Sequence, residues 1–321
     1  MPTPKKALRT RRKPELRSTP DTPSAVTPQN IVPLGRELLE RLYGAMLKCR
    51  LVEERTRRAF PHAATAHKNW LGQEAVYVGS TLQLTDNDTL APSEHDSFAQ
   101  IIKGTPLRFI FAQRFAAEDS RSLAAHCGYA PRNVITPSSK DGANIHIAAG
   151  VALTSKLQKS AGVVVALCGP ITHSGAWQDA LRFAGALKLP MLFVVESRLA
   201  ASTRQAGQPA SKQLAAEAAA YGVARISVDA DDVIAIYRVA HEAIHRARIG
   251  RGPSLIECVS APVRNSGRDP LAHLERYMRR YNVWSDQWRD DIIRTYTAEI
   301  NAAIKVARKS PFLEPEQALS L

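Results

Sequence analysis

The sequence predicts an α/β protein with a doubly wound parallel sheet and helical extensions at its N- and C-terminal ends. Two apolar runs rich in β-branched residues, at 163–167 and 191–195, are typical of strands buried on both faces. A helical segment at 175–187 separates them, which makes a strand–helix–strand unit. The alternation continues with strands at 225–228 and 254–259. Four buried strands with intervening helices indicate a parallel sheet.

Helical patterns flank this central region. Leucines and a methionine recur at helical spacing from 36 to 60, which predicts a long amphipathic helix. The small residues at 145–157 predict a helix that packs closely, and 269–309 is expected to be helical as well. Trp177 and Phe183 are expected to point into the core, and a helix at 232–248 is expected to begin at Asp231.

The charge of the chain is concentrated near its start. Residues 1–30 contain seven Lys or Arg against two Asp or Glu, which is a net +5 of the chain's +13. Six prolines in the same stretch disfavour the helix of a transit peptide. We interpret 1–33 as a disordered, basic, proline-rich tail and 34–321 as one folded domain. A basic arm that binds an acidic partner or nucleic acid is the alternative, and it rests on charge alone.

Several classes of protein do not match the sequence. No segment approaches the ~20 apolar residues of a membrane span, and no secretory signal is recognised, so we expect a cytoplasmic protein without a membrane partner. The four cysteines are scattered without a CxxC motif, which favours free thiols over disulfides or a zinc site. We expect no metal-ligating residues and no nucleic-acid partner.

A site is expected beyond the carboxyl ends of the strands, where parallel sheets bind ligands. The turn after the first strand, at 168–175, lacks the lysine and the glycine spacing of a phosphate-binding loop, which argues against nucleotides and NAD. Residues 85–97 are expected to form a polar loop near the same cleft. His95 and His173 lie on turns that face it, and they are our candidate catalytic residues.

Six motifs, in order along the chain, point to a known family. They are GQEAVYVG at 72–79, VVVALCG at 163–169, GAWQDALRFAGALKLP at 175–190, FVVES at 193–197, GPSLIE at 252–257 and DPLAHLERYM at 269–278. Together they resemble the alpha subunit of the decarboxylating component of pyruvate and branched-chain 2-oxoacid dehydrogenases. The resemblance implies the thiamine-diphosphate-binding fold over nearly the whole chain outside the tail.

The resemblance also implies a chemistry and a partner. In that family thiamine diphosphate lies between alpha and beta subunits of a heterotetramer, and the alpha chain holds its diphosphate through Mg²⁺. The cofactor attacks a 2-oxoacid, CO₂ leaves, and the acyl group passes to lipoamide. The implied cofactor is therefore thiamine diphosphate, and the implied partner is a beta-type subunit, with a homo-oligomer as the alternative.

The sequence departs from the family at the metal motif. The family's Gly-Asp-Gly reads Gly169-Pro170-Ile171, so the aspartate position falls at Pro170 or at Gly169. Its Asn-Asn pair reads Ser197-Arg198, and the ligating asparagine corresponds to Arg198. None of these side chains is a ligand that Mg²⁺ prefers, so we do not expect Mg²⁺ in the usual site. Arg198 either binds an anionic group directly or points to solvent.

Other parts of the family's site have changed as well. The Tyr-Arg-Asp-His segment, which grips diphosphate, corresponds to 93–96, and a family histidine corresponds to Asn144. The downstream Gly-His-Ser loop, which carries a catalytic histidine, is missing after Val263. The candidate cofactor-binding residues that remain are Gly169, Arg198, Asn144, Ile145 and Ser197.

Three functions remain open. The sequence favours an alpha-like subunit that is inactive or repurposed, a pseudoenzyme that pairs with a beta-type subunit. The second is a catalytic alpha subunit for the thiamine-diphosphate-dependent oxidative decarboxylation of a 2-oxoacid such as pyruvate, an oxidoreductase. The third is a protein that binds through its basic tail. Whether the chain is an enzyme stays open because the metal ligands are missing.

Overall fold

The computed structural model describes residues 34–59, 71–93, 96–118, 128–137, 143–168, 175–198, 217–260 and 268–309, with the side chains of 116–118 and 198 left out. The basic tail predicted at 1–33 lies outside these residues. The helices are α1 (Arg36–Ala59), α2 (Glu74–Thr81), α3 (Ser97–Lys103), α4 (Leu107–Glu118), α5 (Ala143–Leu157), α6 (Gly175–Ala186), α7 (Val233–Arg248), α8 (Pro270–Arg280) and α9 (Asp286–Lys309). The strands are β1 (Thr89–Ala91), β2 (Val164–Leu167), β3 (Met191–Arg198), β4 (Ala224–Asp229) and β5 (Ser254–Ser260).

The five strands form one parallel sheet in the order β1-β2-β3-β5-β4. The chain moves in one direction from β2 to β3 and in the opposite direction from β4 to β5. Because crossovers between parallel strands are right-handed, these opposite steps place α6 and α7 on opposite faces of the sheet. The predicted doubly wound parallel sheet is therefore confirmed, with α1 before it and α8 and α9 after it.

The two edge strands differ from the prediction. Residues 85–97 were expected to be a polar loop, but β1 lies within them and pairs with Val164 to Ala166. Three residues are too few for a periodic signal. The strand predicted at 225–228 was expected to be buried, but four residues of β4 are exposed and two are half-buried. The reason is its place at the end of the sheet, which the local pattern does not reveal.

The core on one face lies between the sheet, α5 and α6. Met191, Phe193 and Val195 of β3 point to this face, as the twofold alternation of a strand requires. Trp177 of α6 packs edge-on against Phe193, with 5.7 Å between ring centroids. The expectation for Phe183 was wrong, because this residue is 40% exposed. Six helical positions separate Phe183 from Trp177, which turns its side chain roughly 120° away from the sheet.

The opposite face carries α2 and α7 in close contact. A Cβ at Gly79 of α2 would lie 2.7 Å from Ile236 of α7, so only glycine allows this approach. α7 begins after Asp232 and not at the expected Asp231. The Asp232 carboxylate accepts hydrogen bonds from the amides of Ile234 and Ala235, both at 3.0 Å.

The family-like motifs at 72–79 and 269–278 are joined by one arginine of α1. Arg50 donates from Nε to Glu74 at 2.6 Å and from its two terminal nitrogens to Asp269 at 3.0 and 2.9 Å. Glu74 is fully buried and also accepts a hydrogen bond from the amide of Gly72 at 2.9 Å. Arg50 therefore connects α1, the GQEA glutamate of α2 and the start of α8.

The C-terminal helix α9 packs on α1 and α4. Ile300 and Ala307 are buried there with Val52 and Phe111 in a second apolar cluster. None of the helices that the structure describes is long and apolar enough to cross a membrane.

Candidate functional site

The carboxyl ends of the parallel strands bring several polar residues to one edge of the sheet. Ser93 and Asp96 follow β1, and Glu196 and Ser197 lie close to the carboxyl end of β3. α5 begins at Ala143, and Asn144 in its first turn contacts the backbone of Pro92. This is the edge where the sequence predicts the site.

Three of the predicted site residues lie outside the described residues: His95, His173 and Gly169. Of Arg198 the backbone alone is described, and it pairs with Ser260 in the β3–β5 ladder. The strand thus continues past the predicted end at 195, because β5 supplies pairing partners as far as Ser260. The roles assigned to these four residues stay predictions.

Asn144 lies at the expected edge, and its side chain has a structural partner on each of two strands. It is buried, and its amide nitrogen donates to the backbone oxygen of Leu167 at 3.0 Å and of Pro92 at 3.3 Å. These carbonyl groups lie at the carboxyl ends of β2 and β1. The neighbouring Ile145 is fully buried in the core beneath α5. That either residue binds a cofactor stays a prediction.

Ser197 presents a buried hydroxyl at the same edge. No other described residue hydrogen-bonds to this oxygen. It occupies the first position of the family's Asn-Asn pair, where the sequence predicts a cofactor-binding role. A hydroxyl can donate one hydrogen bond and accept others, but it is a weaker metal ligand than an amide or carboxylate oxygen.

A cluster of two buried residues and one half-buried residue was missed by the sequence analysis. The Tyr77 hydroxyl of α2 hydrogen-bonds with the carboxyl groups of Asp96 and Glu196. Asp96 is also buried and accepts a hydrogen bond from the amide of Ser93 at 2.6 Å. Residues 77, 96 and 196 are far apart in the chain, so no local pattern connects them. The available signal was one acidic residue, Glu196, directly after the predicted strand at 191–195, and another, Asp96, in the polar loop predicted near the same cleft.

Burial controls the protonation of this cluster. It raises the pKa of Tyr77 well above the ordinary value, and the charges of Asp96 and Glu196 raise it further. Burial also raises the pKa of Asp96, and hydrogen bonds from Ser93 and Tyr77 offset this effect only in part. Tyr77 is therefore a neutral donor at physiological pH, and Asp96 binds a proton more readily than an exposed aspartate does.

The Asp96 proton makes stability depend on pH. Because the folded protein holds this proton above the ordinary aspartate pKa of 3.8, the folded state binds more protons than the unfolded state in that range. The unfolding free energy should fall as pH rises from 3.8 through the raised pKa, by at most about 1.4 kcal/mol per pH unit. Asp96→Asn should remove this contribution. Urea unfolding of both proteins from about pH 4 to about pH 8 measures it, and parallel stability curves would contradict it.

The cysteines at this edge are not suited to nucleophilic chemistry. Cys168 follows β2 and Cys258 lies in β5, and both are fully buried free thiols, as is Cys49. Burial raises the pKa of Cys168 and Cys258, so both are protonated at neutral pH. The predicted absence of disulfides agrees with these three residues, and Cys127 lies outside the described part of the chain.

The charged side chains of the described cluster at this edge are two carboxyl groups, Asp96 and Glu196. Carboxylates are oxygen ligands of the kind that Mg²⁺ prefers, and they repel a diphosphate unless a divalent cation lies between them. No group of three or more His, Cys, Asp or Glu among the described residues is arranged to hold a metal ion.

Comparison with known proteins assigns the chain to a family. A family model described as "Dehydrogenase E1 component" matches residues 50–265. The chain therefore belongs to the dehydrogenase E1 component family. All five strands of the sheet lie within the matched residues. The resemblance inferred from the six motifs is confirmed.

Curated relatives within the E1 component family are alpha subunits. The pyruvate dehydrogenase E1 component subunit alpha of Staphylococcus aureus is 29% identical, and the match covers 88% of this chain and 81% of the relative. The alpha subunit of acetoin:2,6-dichlorophenolindophenol oxidoreductase from Bacillus subtilis is 30% identical over 68% of each chain. The 2-oxoisovalerate dehydrogenase subunit alpha of Bacillus subtilis is 27% identical, covering 77% of this chain and 83% of the relative.

Proposed function

We propose that this chain is an alpha-type E1 subunit that pairs with a beta-type subunit in a heterotetramer and does not hold Mg²⁺ and thiamine diphosphate through the usual alpha-chain motif. The observation that carries the proposal is the change in the family's metal motif: Gly169-Pro170-Ile171 stands in place of Gly-Asp-Gly, and Ser197-Arg198 in place of the Asn-Asn pair. None of these side chains is a ligand that Mg²⁺ prefers. The buried Ser197 hydroxyl, to which no described residue hydrogen-bonds, lies at the carboxyl edge of the sheet.

Two features of the fold support a role in assembly. The parallel sheet is complete from β1 to β5, and Arg50 joins the GQEA motif to the start of α8. In the family, the GQEA helix and the C-terminal helices pack between subunits. An alpha-like chain can therefore keep its role in assembly after its metal ligands have changed.

The second candidate is a catalytic alpha subunit. The relatives named as dehydrogenase or oxidoreductase subunits favour it, because 27–30% identity over most of the chain is a family likeness that active proteins share. Their names point to pyruvate, 2-oxoisovalerate and acetoin as substrates to test. For this candidate, cofactor binding would have to depend on side chains other than the usual aspartate and asparagine.

Calorimetry with Mg²⁺ and thiamine diphosphate separates the two candidates. We expect no Mg²⁺-dependent binding to the chain alone or to the complex with its beta-type partner. Oxidation of the three substrates is measured through the reduction of the dye 2,6-dichlorophenolindophenol. In that complex the rate of dye reduction should stay at background. Micromolar binding to the complex together with substrate-dependent dye reduction would contradict the proposal.

The variant Arg198→Ala tests, in the same experiment, whether the arginine that replaces the ligating asparagine binds diphosphate without Mg²⁺. If Arg198 binds a diphosphate directly, any residual affinity should disappear in this variant because the guanidinium supplies the attraction. An unchanged affinity would show that the arginine does not contact the anion.

A further inference from the structure

The two edges of the sheet are different. The outer edge of β1 is covered by 133–135, because Leu90 donates to the backbone oxygen of Asn133 at 2.9 Å and accepts from the amide of Ile135 at 3.0 Å. The outer edge of β4 has no such cover among the described residues, since β4 ends the sheet. Ile226 in the middle of β4 is 46% exposed. An open edge strand is a template for pairing with another strand.

The backbone of β4 determines which groups are available for that pairing. Ala230 donates its amide to the backbone oxygen of Val259 in β5 at 3.0 Å. Because the direction of the N–H and C=O groups alternates along a strand, those of Arg225, Ser227 and Asp229 point away from β5. These three residues form the outward row of the edge.

We propose that β4 pairs antiparallel with β4 of a second copy of this chain, with Ser227 facing Ser227 across a twofold axis. In this register Arg225 faces Asp229 of the second copy, and Asp229 faces Arg225. All members of the outward row then face one another, so each of these pairs can exchange two hydrogen bonds. Ile226 and Val228 face each other in the closer, non-hydrogen-bonded positions.

Other registers satisfy the edge less well. A shift of one residue places the outward N–H and C=O groups of one copy opposite residues of the second copy whose N–H and C=O groups already bond to β5. The antiparallel ladder between the two β4 strands then cannot form. A shift that puts Ile226 or Val228 on the axis keeps the ladder but loses the facing of Arg225 and Asp229. The chosen register is self-complementary in charge and in apolar side chains, as a twofold interface requires.

The charges of the proposed pair already belong to pairs within the chain. Arg225 pairs with the buried Glu257, and Asp229 pairs with Arg268 at 3.1 Å. Facing Arg225 to Asp229 of the second copy therefore joins two existing ion pairs into a network on each side of the axis. No like charges face each other in this register.

The helices leave room for the second copy. α7 packs over β3, β5 and β4, which places its axis above β5. Two α7 helices in the dimer would be separated by three strand spacings, about 14 Å, which exceeds the 8–10 Å of packed helices.

A groove of about 400 Å³ lies beside α7 and is lined by Ile226, Val239 and Ala243. Val228 of the second copy would cover the Ile226 end of this groove.

Cysteine pairing tests the register. Chains with Ile226→Cys and Val228→Cys are mixed under mild oxidation and run on a non-reducing gel. Facing residues in a non-hydrogen-bonded pair have Cα atoms about 4.5 Å apart, which a disulfide can span. We expect a covalent dimer in the mixture and little in either variant alone, because each cysteine then faces an unchanged side chain. Equal yields in all three samples would overturn the register.

Sedimentation equilibrium tests the dimer itself with a matched pair of variants. The full chain without cofactor or beta subunit should dimerise reversibly. Ile226→Glu should raise the dissociation constant by about tenfold or more, because it places a charge in the apolar pair. Ile249→Glu makes the same change at a residue that is 53% exposed outside β4, and it should leave the dimer unchanged. A wild-type chain that stays monomeric, or equal effects of both variants, would overturn the proposal without bearing on cofactor binding.

Discussion

Replacing Arg50 with methionine should lower the unfolding free energy by about 3–5 kcal/mol, because it leaves a fully buried carboxylate without its ion-pair partner. Arg50 contacts Glu74 at 2.6 Å and Asp269 at 2.9 Å, so the same change removes contacts between α1, α2 and α8. Urea unfolding of the wild type and the variant measures the difference.

Two further variants distinguish this explanation from a general loss of packing. Arg36→Met breaks the exposed ion pair between Arg36 and Glu40 of the same helix, and it should change stability by at most about 0.5 kcal/mol. Adding Glu74→Gln to Arg50→Met should recover part of the loss, because the buried charge is then removed. If the double variant is no more stable than Arg50→Met, the unpaired carboxylate is not the cause.

Gly185→Ala should destabilise the protein by about 2–3 kcal/mol, although alanine is the better helix former. A Cβ at this position of α6 would overlap the backbone oxygen of Tyr221, which cannot move as a flexible side chain can. The helix or the 221–223 segment would have to shift. Thermal or urea unfolding measures the loss.

The same substitution in α5 provides the control. Gly150 is helical and exposed, and a Cβ there would have nothing within 4 Å. Gly150→Ala should therefore stabilise the protein by about 0.5–1 kcal/mol through helix propensity. Equal signs for the two variants would show that the contact with Tyr221 does not govern Gly185.

The central strands could be predicted because they are continuous apolar runs. The run at 163–167 corresponds to β2 and the strand expected at 254–259 to β5, within one residue at either end. β3 was expected to end at 195, where the apolar residues end, but pairing with β5 extends it through Glu196 and Ser197. Hydrophobicity therefore predicted where strands lie, while the partner strand determined where they end.

The candidate site was predicted less completely, for a physical reason. Positions 144 and 197 were found because the family's motifs mark them, and both lie at the carboxyl edge. Tyr77 was missed because its motif at 72–79 was used only to recognise the family, and its contacts with Asp96 and Glu196 depend on the fold. Contacts of this kind join segments that are distant in sequence, so the periodicity and spacing of residues do not predict them.

The side-chain amide of Asn144 fixes part of the carboxyl edge of the sheet. By bonding to Pro92 and Leu167 it holds the start of α5 and the ends of two strands in one arrangement before any ligand arrives. A molecule that binds against these segments loses little free energy to ordering the protein. Its affinity therefore depends mainly on the contacts that it makes. The start of α5 and the ends of β1 and β2 are in this sense preorganised for a ligand.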